Sequence, residues 1–312
     1  MEEQASKMSL KERIIAFYDK HYKALLWIPI IIFVLAIAQI GVQIATTGDF
    51  IQKGVSLKGG ITVTVPTEEL VNLEDVQAKL RTEFPGNDIS VRRLEQAGTS
   101  VGVTIEADID GTDEAQFQAF LISIENSLGF PLNKNYTVEL IGSALGESFF
   151  KEVFRAMIIA FVFMAIVVFI TFRSFIPSIT VVSCALADIL VTVAVVNLMG
   201  VKVSTAGIAG FLMLIGYSVD TDILLTTRML KRREGKLMDR VTSAFTTGMT
   251  MTLTTLVAVG AAFFFTQSEA LRQIMLIILI GLVVDIIFTW IQNMAIIRIY
   301  LEKKGWAHEH EA

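Results

Sequence analysis

The chain consists of long apolar runs, interrupted once by a long segment of mixed polar and apolar residues. A membrane-spanning helix needs about 20 consecutive, mostly apolar residues, and six runs meet this requirement. Each is predicted to be helical because the bilayer core offers no water to an unpaired backbone group. The predicted spans 1 to 6 cover residues 24–45, 152–172, 177–199, 204–226, 247–266 and 271–298.

The segment between spans 1 and 2, residues 46–150, has the pattern of a water-exposed domain. Apolar and polar residues alternate in four stretches, which is typical of β-strands. These stretches are Ile61–Val65, Ile89–Leu94, Val101–Ile105 and Tyr136–Leu140. Residues 73–84 and 113–128 repeat apolar positions at helical spacing. The resulting order β-α-β-β-α-β predicts an α+β, ferredoxin-like domain.

The composition also indicates a membrane protein. Hydrophobic residues make up 53% of the 312 residues and charged residues 18%, with a mean hydropathy of +0.61. The net charge of -5 argues against a nucleic-acid partner. We therefore predict an α-helical integral membrane protein with six transmembrane helices and one extracytoplasmic α+β domain.

The distribution of Lys and Arg predicts the orientation in the membrane. With the N-terminus inside, the cytoplasmic segments hold fifteen of these residues, whereas the short outside loops hold two. We expect a cytoplasmic N-terminal segment (1–23), a basic cytoplasmic loop (227–246) within the block of spans 2–6 (151–300), and a cytoplasmic tail (301–312). The acidic domain 46–150 is then extracytoplasmic, and the protein lies in the cell membrane.

Four aspartates lie within the predicted spans: Asp188 in span 3, Asp220 and Asp222 in span 4, and Asp285 in span 6. An Asp at a helix centre costs roughly 2.5–3.5 kcal/mol on insertion scales, so such residues are candidates for function. A carboxyl group removed from water resists ionisation and can exchange protons near neutral pH. These four are our candidates for an ion or proton relay. The alternative is that hydroxyl groups or a helix end hold inert carboxyls in place.

The two aspartates of span 4 cannot point in the same direction, because two residues along an α-helix correspond to about 200° of rotation. Ser218 and Thr226 lie four residues on either side of Asp222 and favour a structural role for it. Asp220 lies deeper in the span, one turn after Gly216, where another backbone can come close. We expect Asp220 to be the carboxylate at the interface of spans 4–6.

Span 5 begins with a threonine-rich stretch in which Thr247, Thr250 and Thr254 share one face. Close helix packing through small residues and interhelical hydrogen bonds would explain this face. A second, compatible interpretation is that the hydroxyls line the wet side of a carboxylate cluster. Together with Ser218 and Thr226, these threonines are the supporting polar residues of the predicted site.

The sequence carries no motif that indicates an enzyme. It has no P-loop, no HExxH and no GxSxG, and its three histidines, His21, His308 and His310, lie in the polar ends of the chain. We therefore expect no catalytic residue, no cofactor and no metal site.

Four stretches carry a resemblance to a known family. They are GVSLKGGITVTV (54–65) with the pair Gly59 and Gly60, LIGSALGESFFKEVFRA (140–156), ALADILVT (185–192) with Asp188, and LIGYSVDTDILLTTRML (214–230) with Gly216, Tyr217 and Arg228. With the six spans and the domain between spans 1 and 2, they resemble the SecF branch of the SecD/SecF family of protein-export membrane proteins. This family is part of the resistance-nodulation-division superfamily, and the sequence of these stretches resembles archaeal members most.

The resemblance implies an accessory subunit of the Sec protein-export translocon, coupled to the proton or sodium gradient. The partners it implies are a SecD-like membrane protein, a SecYE-type channel and translocating polypeptides. Two alternatives stay open. In the first alternative, the protein is a passive scaffold for the assembly of SecD with the translocon. In the second, it is one half of a small-molecule exporter of the same superfamily.

The sequence departs from the resembled family at three positions. Bacterial members place an acid at the position of Thr221 and an arginine at that of Thr247, and Asp285 matches no acid of their span 6. Since the acid of the sister SecD signature falls where Asp220 stands, the relay role implied by the resemblance goes to Asp220 first and to Asp222 second.

Overall fold

The structure, a computed structural model, describes residues 10–69, 71–96, 99–111, 113–132, 136–231, 237–266 and 268–304. In this part of the chain, six helices are long and apolar enough to cross a membrane, in agreement with the six predicted spans. They are Tyr18–Thr47 (span 1), Ser143–Phe172 (span 2), Phe175–Leu198 (span 3), Thr205–Leu230 (span 4), Leu237–Phe265 (span 5) and Glu269–Lys303 (span 6). Span 1 continues an N-terminal helix, Leu10–Leu25, and span 6 contains a π-helical segment, Phe288–Asn293.

Several helices extend beyond their predicted bounds. Span 2 begins at Ser143 and span 5 at Leu237, nine and ten residues before the predicted positions 152 and 247. Apolar composition marks only the length inside hydrocarbon, whereas helical hydrogen bonds continue into the interface and water. Of the predicted cytoplasmic segments, residues 1–9, 232–236 and 305–312 lie outside the described residues.

Spans 3, 4 and 6 form the centre of the membrane part. In the most apolar stretch of these helices, half or more of the residues are buried, whereas about a tenth or less are buried in the corresponding stretches of spans 1, 2 and 5. A side chain that points inward from spans 3, 4 or 6 is therefore shielded from lipid and water alike.

The segment between spans 1 and 2 forms a four-stranded sheet with two helices. Its elements are β1 (Gly60–Pro66), α1 (Leu73–Glu83), β2 (Ile89–Gln96), β3 (Thr99–Ala107), α2 (Glu114–Leu128) and β4 (Thr137–Ile141). The strands pair antiparallel in the order β2-β3-β1-β4. Both helices begin at a side-chain cap, Asn72 for α1 and Asp113 for α2, which accepts hydrogen bonds from the first turn.

The two faces of the sheet differ in polarity because side chains alternate along a strand. Ile61, Val63 and Ile105 are fully buried between the sheet and the two helices. The opposite, polar face is turned toward the loop between spans 3 and 4 and the start of span 6. A cleft of about 340 Å³ separates them, lined among others by Thr62, Thr64, Arg92, Glu106, Lys202, Ser204, Glu269 and Gln273.

Two polar contacts join the domain to the spans beside this cleft. The ammonium group of Lys202, in the loop between spans 3 and 4, lies 2.9 Å from the carboxylate of Asp88. Thr104 of β3 donates a 3.3 Å hydrogen bond to Glu269 at the start of span 6. Partial burial would raise the pKa of Asp88, but Lys202, with smaller effects of Lys58 and Arg81, outweighs it and lowers the pKa below its usual range. At this cleft, the domain therefore contacts the spans through a few polar groups.

The predicted glycine pair lies where the chain enters the sheet. Gly59 and Gly60 have φ angles of +88° and +132°, which side chains rarely adopt. A Cβ atom on Gly59 would lie 2.4 Å from the Cα of Ser143, and one on Gly146 would lie 2.6 Å from the nitrogen of Gly59. The segments that enter and leave the domain thus pack backbone against backbone, which only glycine permits here.

The entering segment is also bound to the loop between spans 3 and 4. The N–H of Gly54 donates to the carbonyl of Val203 (2.8 Å), and the N–H of Val203 donates to the carbonyl of Gln52 (2.7 Å). The N–H of Thr205, the first residue of span 4, donates to Ser56 Oγ (3.1 Å). The start of span 4 is therefore hydrogen-bonded directly to the base of the domain.

We expect Asp88→Asn to loosen the domain from the spans without unfolding it. The neutral amide cannot form the ion pair with Lys202, and exposed pairs of this kind contribute only about 0.2–1 kcal/mol. Spin labels at Ala119→Cys and Leu198→Cys, both exposed, should report a broader distance distribution, while the melting temperature stays unchanged. In the unsubstituted protein, the lowered pKa of Asp88 keeps its carboxylate charged at the pH where an ordinary Asp is protonated, about 4. The narrow distance distribution should therefore persist at that pH and be lost only at lower pH.

The matched control is Asp75→Asn, which removes the same charge from a pair with Lys79 inside α1. This variant should keep the narrow distribution. Equal broadening in both variants would contradict the assigned role of the Asp88–Lys202 contact.

Candidate functional site: a buried carboxylate cluster

Three carboxyl groups meet in the membrane part of the protein. Asp188 of span 3, Asp222 of span 4 and Asp285 of span 6 are each 0% exposed. Among the described residues, no Lys or Arg forms an ion pair with any of them. Charges buried without a partner of opposite sign are very costly, so the groups around these carboxyls decide their state.

The carboxyls are joined by hydroxyl and amide groups. Ser218 Oγ donates to Asp188 (2.5 Å), and Asn293 Nδ2 donates to Asp222 (2.6 Å). Thr289 Oγ1 lies 2.9 Å from both Asp222 and Asp285. Asp188 and Asp285 also interact with each other, and Ser218 lies close to both carboxyls. A continuous polar chain therefore crosses spans 3, 4 and 6.

These contacts require protons on the carboxyls themselves. Two carboxyl groups form a hydrogen bond only when one of them carries a proton. The Thr289 hydroxyl has one hydrogen and two carboxyl neighbours, so one neighbour must donate to it. At least one of the three carboxyls therefore acts as a hydrogen-bond donor and carries a proton.

Some oxygens of the cluster have no donor. Asp188 Oδ1, Asp222 Oδ2 and Asp285 Oδ2 are buried without a hydrogen-bond partner among the described groups, as is Thr192 Oγ1 one turn along span 3 from Asp188. Unsatisfied buried acceptors cost about 1–3 kcal/mol each, and natural proteins retain few of them. The cluster can thus take up protons at positions that no side chain of the site already occupies.

The π-helical segment of span 6 aligns its polar residues with span 4. Asp285, Thr289 and Asn293 are spaced by four residues, and in a regular α-helix each such step drifts by about 40°. The wider turn of Phe288–Asn293 reduces this drift, so that Thr289 and Asn293 both reach the same oxygen of Asp222. Segments of this kind are frequent at functional sites.

The structure reverses the prediction for the two aspartates of span 4. Asp222 lies in the cluster, whereas Asp220 is exposed on the opposite side of the helix, beside exposed Gly216 and Tyr217. The expectation that Asp220 lies at the interface of spans 4–6 is therefore wrong. Ser218, Asp222 and Thr226, all fully buried, form one inward stripe at a spacing of four residues. These hydroxyl neighbours of Asp222 were interpreted as a sign of a structural role, but they mark the side of span 4 that faces the protein interior.

The supporting polar residues divide into two groups. Ser218 and Thr226 belong to the cluster, and Thr226 contacts Asn293 at 3.4 Å. Thr250 and Thr254 are exposed and donate to carbonyls of their own helix, so the predictions that they line the carboxylates or pack spans together are both wrong. Span 5 packs instead through Gly248, where a Cβ atom would lie 2.5 Å from the ring of Trp290.

The neutral Thr247 has a cationic neighbour. Arg228, near the C-terminal end of span 4, donates from Nη1 to Thr247 Oγ1 (2.9 Å) and to the backbone and side-chain oxygens of Ser243. Arg228 therefore ties span 4 to span 5. It forms no ion pair with the cluster.

Thr289, Asn293 and Thr192 were not among the predicted site residues. A signal for the first two exists in the sequence, because both are polar residues in an apolar run and follow Asp285 at intervals of four. Thr192 also follows Asp188 by four residues. Among the described residues, no group of three or more His, Cys, Asp or Glu side chains is arranged to hold a metal ion.

We expect Ser218→Ala to destabilise the membrane part by about 1–3 kcal/mol, because the Asp188 carboxyl loses its donor in a site that water does not reach. The measurement is the melting temperature of the purified protein in detergent. The control is Ser183→Ala in span 3, whose hydroxyl donates only to a carbonyl of its own helix. Equal melting temperatures for the two variants would contradict the assigned contact.

The chain is similar to known proteins of one family. The family model described as "Protein export membrane protein SecD/SecF, C-terminal" matches residues 125–303. The protein-export membrane protein SecF of Pyrococcus furiosus is 35% identical over 299 residues, which cover 95% of this chain and 96% of the relative. SecF of Methanocaldococcus jannaschii is 35% identical over 290 residues, which cover 90% and 96%.

Solved structures share the fold. A crystal structure of SecDF from Thermus thermophilus, described as a translocon-associated membrane protein, matches with a TM-score of 0.70 at 16% identity. The match covers 91% of this chain but only 38% of that one. SecDF in a super-membrane-facing form matches with a TM-score of 0.58 at 18% identity, covering 90% of this chain and 38% of that chain. With the family model and the full-length relatives, the similarity leads to one conclusion: the chain belongs to the SecD/SecF family of protein-export membrane proteins, on its SecF side.

Proposed function

We propose that the protein is an accessory subunit of the Sec translocon that acts with a SecD-like membrane protein to promote the passage of polypeptides through a SecYE-type channel. We further propose that the cluster of Asp188, Asp222 and Asp285 couples this work to the proton gradient. The names of the relatives support the first part. The second part depends on one observation, a carboxyl chain whose contacts need protons at the meeting point of three spans.

Protonation of the cluster would change how spans 3, 4 and 6 pack. Loss of one proton removes a donor from a contact that joins two helices, such as that between Asp285 and Asp188. The two groups then repel each other in a site without counter-charge. One elementary charge moved across 100 mV is worth about 2.3 kcal/mol. A few protons can therefore drive a rearrangement that costs several kcal/mol.

The surroundings of the cluster support a gated path. On the outer side, Leu214 is fully buried, and a Cβ atom on Gly281 would lie 2.4 Å from its methyl carbons. On the cytoplasmic side, the polar chain continues through Asn293 to Thr226. Protons from outside would reach Asp222 only after spans 4 and 6 separate at the contact of Leu214 with Gly281.

Such a separation would act on the domain. The outer end of span 4 is bonded to Ser56 in the entering segment, and the outer end of span 6 is bonded to Thr104 in the sheet. We infer that the domain is a ferredoxin-like unit on the extracytoplasmic side, which the sheet order β2-β3-β1-β4 and its excess of acidic residues support. Its movement would hold or release the emerging polypeptide.

Asp220 has a different role in this proposal. It lies exposed within span 4, and a carboxylate facing lipid is unfavourable. The adjacent Gly216 offers room for a close helix, since no atom lies within 4 Å of its ideal Cβ position. We propose that this face binds the SecD-like partner, which contributes a donor to Asp220.

We expect Asp222→Asn to remove the gradient-dependent share of export. The amide keeps the shape and can still accept a hydrogen bond, but it cannot take up or release a proton. Export of a secretory polypeptide into sealed inverted vesicles should fall to the rate that the unsubstituted protein shows with an uncoupler. Co-purification of the SecD-like partner should be unchanged. Loss of co-purification would favour the passive scaffold, and an unchanged gradient response would contradict coupling.

We expect Asp220→Leu to lower the recovery of the SecD-like partner in co-purification while the melting temperature of the isolated chain stays the same or rises. The carboxyl group is exposed in the single chain and becomes paired only in the complex. The matched control is Met213→Leu, an exposed position two turns earlier on the same helix. Full recovery of the partner with Asp220→Leu would contradict the assignment of this face.

A further inference from the structure

A narrow apolar groove lies on the membrane-facing side of the outer half of the spans. Its floor consists of residues of spans 3 and 4, such as Ile189 and Phe211, and one wall consists of residues of span 2, such as Met157. Its volume is about 350 Å³, and all its lining side chains are apolar. On its rim, Ile158 and Leu186 are 49% and 43% exposed, so the groove opens sideways toward lipid.

The dimensions of the groove match one extended hydrocarbon chain. Along span 2 it extends from Phe150 to Val162, which corresponds to about 18 Å of helix. This is close to half the thickness of a hydrocarbon core of about 30 Å. Divided over that length, the volume gives a cross-section of roughly 20 Å². An α-helix with its side chains is about 10–12 Å wide and does not fit.

The outer end of the groove changes from apolar to charged. The rings of Phe50, Phe150 and Phe154 contact one another there, with centroids 5.4–6.0 Å apart. The ammonium group of Lys53 lies 4.3 Å from the centre of the Phe150 ring and 2.6 Å from the carboxylate of Asp49. An ion pair at this level can meet the charges of a lipid headgroup, while the slot beneath it accepts only hydrocarbon.

We propose that this groove is a binding site for one acyl chain of an outer-leaflet lipid, whose headgroup lies beside Asp49 and Lys53. The inference goes beyond the proposed export function and does not depend on it. Three observations on the chain carry it: the wholly apolar lining, a length of one leaflet, and a width too small for a helix. A bound chain would fill the space between span 2 and the floor made by spans 3 and 4.

The test is photo-crosslinking of the full chain in nanodiscs of phosphatidylcholine and phosphatidylglycerol in equal parts, doped with phosphatidylglycerol that carries a diazirine on its chain. Mass spectrometry should locate the adducts at residues 150–162 and 186–193. The variant Ile158→Trp, which fills the slot, should lower this labelling by about tenfold, equivalent to about 1.4 kcal/mol. The matched control is Ile166→Trp in the same span, 47% exposed and outside the groove, which should leave the labelling unchanged.

A second variant, Leu190→Trp, obstructs the floor of the groove from span 3 and should lower the labelling in the same way. Melting temperatures equal to that of the unsubstituted protein identify the variants that are folded and can be compared. Labelling spread evenly over all lipid-facing residues of span 2 would overturn the proposal. So would recovery of a polypeptide segment, rather than lipid, in the groove.

Discussion

Burial of three carboxyl groups without a cation is the constraint on which the membrane part depends. Asp188, Asp222 and Asp285 can share one site only if protons occupy the contacts between them. Their approach needs closely packed helices, which Gly281 and Gly248 permit at Leu214 and Trp290. It also needs hydrogen-bond donors on span 6 at the level of Asp222, which the π-helical segment supplies through Thr289 and Asn293.

In the proposed mechanism, the same constraint makes the cluster a switch between two arrangements. When it is protonated, its contacts would join spans 3, 4 and 6. After the loss of a proton, at least one contact between helices would lose its hydrogen. Because packed apolar surroundings do not deform gradually, this loss would favour a different arrangement of whole helices. The ends of spans 4 and 6 next to the domain are the parts of these helices that are bonded to it.

Much of this architecture could be predicted from the sequence. The six spans follow from the length of their apolar runs, and the strands and helices between spans 1 and 2 follow from their two different periodicities. The ends of the spans could not be predicted, because helices such as span 2 continue beyond the hydrocarbon that composition detects.

The assignment of Asp220 and Asp222 depended on which side of span 4 meets its neighbours. Which side faces inward is a property of packing. In the sequence, the stripe of Ser218, Asp222 and Thr226 was the signal that could have indicated it. The π-helical segment contains neither glycine nor proline, so nothing local in the sequence marks it.

The closely packed glycines at the base of the domain have a mechanical consequence. Gly59 lies against the backbone of Ser143, so the two chain segments that carry the domain cross into it side by side. Two connections so close together hold the domain at one place rather than across its width. The entering segment continues into β1 and the leaving segment follows β4, and these two strands are paired with each other. Both connections therefore meet the sheet at the same pair of strands, so a displacement of span 2 at this place would reach β1 and β4 together.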